Sequence, residues 1–187
     1  MHGDYVRYSV PALRAAGEAL ADGDADDREW SAFLLGYAAG ETDQEQDTGH
    51  EAWIRDDILA LDPPAGFLDA PAHPAATLYG RYFVEEATHH PYAILGAKGV
   101  LEHLSIVAGD DLVRGVLASG IPNAEHAVRF AREHSSIDIE HVREGNRNLG
   151  RLTGAARRSQ VLEGAWFTSG VYRTLVRDCA CWLAPGR

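Results

Sequence analysis

His134, Asp138 and His141 stand four and then three positions apart in the segment FAREHSSIDIEHVREGNRNL. At ~100° per residue on an α-helix, these steps bring the three side chains within about 60° of one another. The spacing makes sense only if the segment is helical, with two imidazoles and a carboxylate along one stripe. Iron and other first-row metals accept that donor mixture. A polar helix face that happens to carry two histidines would read the same.

The rest of the chain agrees with an all-α fold. Alternating β-branched runs are scarce, and apolar positions such as Phe33, Leu34, Tyr37 and Ala38 recur at helical spacing. Ser9-Val10-Pro11 is expected to open a short helix ending near Ala21. From Asp27 to Leu61 the pattern predicts one bent helix or two, weakened at Gly40 and Gly49 and stopped by Asp62-Pro63-Pro64. Further helices are expected over Pro74 to Thr88, Pro91 to Ala108 and Asp110 to Ala118. Asn123 is the expected N-cap of a helix running to Leu149, and Gly154 separates it from a last helix, Ala155 to Leu183. The expectation is a bundle of six to eight helices forming one domain over residues 1–187.

Two more segments supply candidate ligands. In ETDQEQDTGHEAW, Asp43, Asp47 and His50 repeat the four-then-three spacing, and a solvated acidic face is the competing reading. Asp57 falls near the same stripe but about two turns beyond His50, which suits the surface or a supporting role. In HPYAILGAKGVLEHLSI, Glu102 closes a mostly apolar run, and a carboxylate there is costly to bury unless paired or metal-bound. Gly96 and Gly99 would let a neighbouring helix or a substrate approach the backbone. The joint inventory is His50, His134 and His141 with Asp47, Glu102 and Asp138, and Asp43 in reserve. That is enough for two irons with open positions.

Composition excludes several classes. A formal net charge of -11 argues against nucleic acid and anionic membranes as partners. No apolar run reaches the roughly 20 residues of a membrane span. The N-terminal MHGDYVRYSVPALRAAGEAL lacks a basic stretch leading into an apolar one, so no signal peptide is expected and the cytoplasm is the expected compartment. Cys179 and Cys181 are too few for a disulfide framework and read as semi-buried thiols. Tyr82, Tyr92 and Trp166 read as aromatic core, Arg157 and Arg158 as a solvated basic pair, His90 as a helix cap, and His2, His73 and His126 as surface.

The segments DTGHEAWIRDDILAL, HPYAILGAKGVLEHLS and HSSIDIEH, in this order and at these separations, resemble the heme-oxygenase-like di-iron oxidases and oxygenases, relatives of thiaminase and pyrroloquinoline-quinone synthase. The resemblance covers about Asp27 to Leu149, and the His-x3-Asp-x2-His segment is its most specific part. It implies a heme-oxygenase-like fold with iron held by His50, Glu102, His134, Asp138 and His141. The remaining family ligand is usually a glutamate three or seven positions before the first histidine, and Asp47 and Asp43 hold those places. The implied activity is dioxygen activation by two ferrous ions, using an electron donor. The substrate would be a small amine, amino acid or fatty acid, often in a natural-product pathway. A homodimer is compatible with this pattern.

Two other classes stay open from the sequence. One is a same-fold protein without catalytic iron, either a cofactor-independent oxidase or a thiaminase-like hydrolase. The hydrolase would want a cysteine near the pocket, whereas both cysteines lie in the last helix. The other is a non-enzymatic helical binding protein. Heme would want a proximal histidine on an early helix, where only His2 is offered.

Overall fold

A computed structural model describes residues 2–41 and 50–183, with side chains over 7–41, 50 and 52–181. Among the described residues there are seven α-helices, two short 3-10 turns and no strand. The helices are α1 (His2–Leu20), α2 (Ala25–Gly40), α3 (His50–Ala60), α4 (Pro74–Glu85), α5 (Ala93–Ala118), α6 (Arg129–Leu149) and α7 (Ala155–Leu183). The all-α bundle expected from periodicity is the one observed.

Local chemistry sets most boundaries. Asp24 caps α2 in a reciprocal pair with Asp27, each side chain accepting the other's backbone N–H. Pro74 starts α4, and His73 is no idle surface residue: its Nδ1 accepts the Ala75 N–H at 3.1 Å. Gly154 ends the turn before α7 with φ +82°, a conformation that favours glycine.

Several boundaries differ from expectation. α1 begins before Ser9 and carries Pro11 inside it. α5 is continuous where two helices were expected. Gly109 does not break it, because that glycine sits at a close crossing with α6: a Cβ there would lie 2.9 Å from the Ser135 Cβ. Asn123 is left-handed (φ 61°) and caps nothing with its side chain. The N-terminus of α6 is capped instead from another helix. Asp57 of α3 accepts the N–H groups of Arg129 (3.1 Å) and Phe130 (2.8 Å).

The core joins Leu13, Ala16 and Leu20 of α1 with Leu34 of α2, Tyr79 and Phe83 of α4, Leu95 of α5 and Leu175 of α7. α5 and α7 cross almost backbone to backbone. A Cβ on Gly96 would fall 1.9 Å from the Val161 carbonyl oxygen, and one on Gly164 would fall 1.9 Å from that of Ala93. Gly99 faces open space. Arg157 is not a solvated cation: it ties the start of α7 to Asp24 (2.5 Å) and Asp27 (2.9 Å), and the Tyr92 hydroxyl donates to the same Asp27. His90 pairs with Glu163 at 3.2 Å. Tyr82 stacks on Phe167, whereas Trp166 is 79% exposed and lies outside the core. No described helix is long and apolar enough to cross a membrane.

Candidate metal centre

Four helix segments converge on one group of polar side chains. The last turn of α2 presents Tyr37 and, at its C-cap, Glu41; the first residue of α3 is His50. α5 contributes Lys98, Glu102 and Ser105, and α6 contributes His134, Asp138 and His141. The spacings along α5 and α6 are those that place side chains on one helix face. The close α5–α7 crossing and the Asp57 cap fix the two helices that carry most of them.

The compact part of the site is Glu102, Asp138 and His141, whose ligand atoms lie within 4.8 Å of one another. Glu102 and Asp138 are 6% and 4% exposed, deep enough that their charge must be answered. The Tyr37 hydroxyl donates to Glu102 Oε1 at 2.8 Å and lies 3.1 Å from His141 Nδ1. His141 Nδ1 is 3.2 Å from Asp138 Oδ1, and the Ser105 hydroxyl holds Asp138 Oδ2.

A second, looser group adjoins it. Glu41 Oε2 is 2.6 Å from His50 Nδ1, and the His50 and His134 rings meet edge to face with centroids 4.4 Å apart. His134 Nδ1 donates to the Phe130 carbonyl at 2.9 Å, which makes Nε2 the nitrogen that carries the lone pair. Phe130 stacks on the His134 ring and restricts its rotation.

The electrostatics follow from burial and from these pairs. Burial pushes the Glu102 carboxyl up, against the opposing pull of Lys98. Burial would also raise Glu41, but the His50 hydrogen bond and charge outweigh it and the net shift is downward. His134 is pushed down by burial and by His50. His141 is raised, first by its hydrogen bond to Asp138. Burial raises the Tyr37 hydroxyl strongly, with Glu41 and Glu102 adding to it, so it stays a neutral donor.

The structure thus brings together His50, Glu102, His134, Asp138 and His141. Asp43 and Asp47 lie outside the described residues. Asp57 is buried and serves α6 rather than the site. Glu41 is the functional candidate that spacing alone did not single out. The donor set suits iron: buried carboxylates and an imidazole with its second nitrogen anchored by a backbone carbonyl.

A cavity of about 300 Å³ opens onto these groups. Tyr37, Glu41, His50, Glu102, His134 and Asp138 form its polar wall. Leu13, Ile94, Leu101, Leu104, Leu112 and Val176 form much of the rest, and neither cysteine lines it. Leu112 and Val176 are about half exposed, at 50% and 54%.

An all-helical bundle that sets a buried carboxylate–histidine cluster beside an apolar cavity has a donor group that could hold a metal ion, and no thiol lines that cavity. The family of iron-containing redox enzymes matches residues 11–172, and the chain belongs to that family. This is the family to which the three motifs pointed. No curated protein matches the chain.

Proposed function

We propose that this iron-dependent redox enzyme is a dioxygen-activating di-iron oxidase or oxygenase acting on a small, largely apolar organic substrate. One observation carries the reading. Six carboxylate and imidazole side chains meet in two adjoining groups, five of them (Glu41, His50, Glu102, His134 and Asp138) lining one apolar cavity and the sixth, His141, in contact with Asp138. Glu102, Asp138 and His141 would hold one ion, and Glu41, His50 and His134 the other. Asp43 and Asp47 remain candidate ligands beside Glu41. Iron, when bound, supplies the one-electron couple that lets dioxygen react with a closed-shell organic molecule, and an external donor returns the electrons.

The chain's own groups do the rest. The Tyr37 hydroxyl keeps Glu102 and His141 oriented toward each other. Ser105 fixes the Asp138 carboxylate. The leucine and isoleucine walls take up the apolar part of the substrate and exclude bulk water from the polar wall. Amines, amino acids and fatty acids of modest size all fit a cavity of about 300 Å³.

The test is to load the protein with ferrous iron without oxygen, then admit oxygen and follow its consumption and the visible absorption. Iron-dependent oxygen uptake with a transient visible band supports the reading. Bound iron that remains inert to oxygen with each of the three substrate classes present would overturn it.

A further inference from the structure

Lys98 is the only lysine in the chain: the other sixteen of its 17 basic residues are arginines. Its side chain is 9% exposed, and its Nζ lies 2.7 Å from Glu102 Oε1 and 4.2 Å from the centroid of the Tyr37 ring. For a permanent structural pair, arginine would serve at least as well, because its planar fork holds a carboxylate through two parallel bonds. Lysine is a compact charge on a flexible stem, able to leave one partner without rearranging the backbone. The oxygen it holds is the same one that receives the Tyr37 hydroxyl and that lies 3.7 Å from His141 Nδ1. The ammonium therefore sits on the ligand atom that faces the rest of the cluster.

We infer that Lys98 is a resident counter-cation for the metal-free site, and that its ammonium leaves Glu102 Oε1 when a divalent ion binds there. This rests on the metal-centre reading above. Glu102 and Asp138 are both buried, and without a cation their carboxylates repel each other in a poorly screened site. A divalent ion sharing that oxygen with the ammonium would place two like charges in contact with no water between them. Space for departure exists. Lys98 lines both the main cavity and a small gap walled by α2, α5 and α6, where Gly145 offers no side chain; a Cβ there would lie 3.8 Å from Nζ. Lys98 thus stabilises the empty site and lowers its affinity for metal.

The experiment compares the wild-type chain with Lys98→Met and Lys98→Arg by anaerobic ferrous titration and by thermal melting with and without metal. Lys98→Met should bind iron about tenfold more tightly and melt lower without metal. Lys98→Arg, held by two bonds, should bind iron more weakly than wild type. Unchanged or weaker binding by Lys98→Met beside a wild type that does bind would overturn the inference alone. Failure of all three chains to bind would overturn the metal-centre reading with it. Should Lys98→Met not fold, isotope-labelled lysine gives a single side-chain resonance in the wild type. Saturation with zinc, a diamagnetic probe, should move that resonance; an unmoved resonance would overturn the inference.

Discussion

Glu41 Oε2 reaches His50 Nδ1 at 2.6 Å, joining the C-cap of α2 to the first residue of α3. On one continuous helix, residues nine apart are separated by ~900°, which puts them on opposite faces. The two meet because α2 ends at Gly40 and a separate helix starts at His50. Glu41→Gln should lower ferrous affinity at one of the two positions by at least about tenfold, and Glu102→Gln should affect the other. Anaerobic titration measures this. The same titration on Asp43→Asn and Asp47→Asn decides which carboxylate serves beside His50; a loss in either of these, with Glu41→Gln silent, removes Glu41 from the site.

The cap from Asp57 makes α3 a support for α6. Removing it takes the side-chain acceptor from two N–H groups, one buried and one part-buried, at the start of the helix that carries His134. Asp57→Ala should destabilise the metal-free chain by about 1–2 kcal/mol in urea unfolding, with Asp56→Ala near neutral. Equal effects at both positions would show that the cap is not the source.

The α5–α7 crossing predicts opposite signs at two neighbouring glycines. Gly96→Ala forces a Cβ against the Val161 carbonyl and should cost about 1–3 kcal/mol. Gly99→Ala meets nothing within 4 Å and gains helix propensity, so it should be neutral or stabilise by up to about 1 kcal/mol. Thermal melting of both variants is the check, and a destabilising Gly99→Ala would contradict the packing described.

Sequence spacing made much of this legible. His134, Asp138 and His141 share a stripe whatever the tertiary fold, so their grouping follows from helical geometry alone. Glu102 stood out because a carboxylate ending an apolar run needs a partner. What spacing could not carry was contact between helices. Asp57 sits on a face that suggests solvent until α6 is docked against it. Gly109 looks like a helix break until Ser135 is seen beside it. Arg157 looks solvated until Asp24 and Asp27 are placed opposite. Glu41 needed the end of α2 at Gly40 to be known, and Trp166 looked like core because its helix face was not yet assigned.

The two α6 histidines should titrate apart in the metal-free protein. His134 is pushed below its ordinary value by burial and by His50, so its neutral form is favoured; as pH falls below about 6.5, the folded state loses stability through this group. His141 is raised by Asp138, so its contribution is fully present below about 6.5 and is lost as pH rises through the raised folded value. An NMR titration should show His141 keeping its proton to higher pH than His134. The reverse order would contradict the hydrogen bonding assigned to the two rings.

The central claim is that His134 belongs to an iron centre. The direct measurement is iron retained per chain after anaerobic reconstitution and desalting, in wild type, His134→Ala and His126→Ala. His126 is an exposed residue that does not line the cavity and serves as the control. The account predicts two irons in wild type and in His126→Ala, and a clear loss in His134→Ala. A wild-type chain that retains none, or a His134→Ala chain that retains as much as wild type, would contradict it.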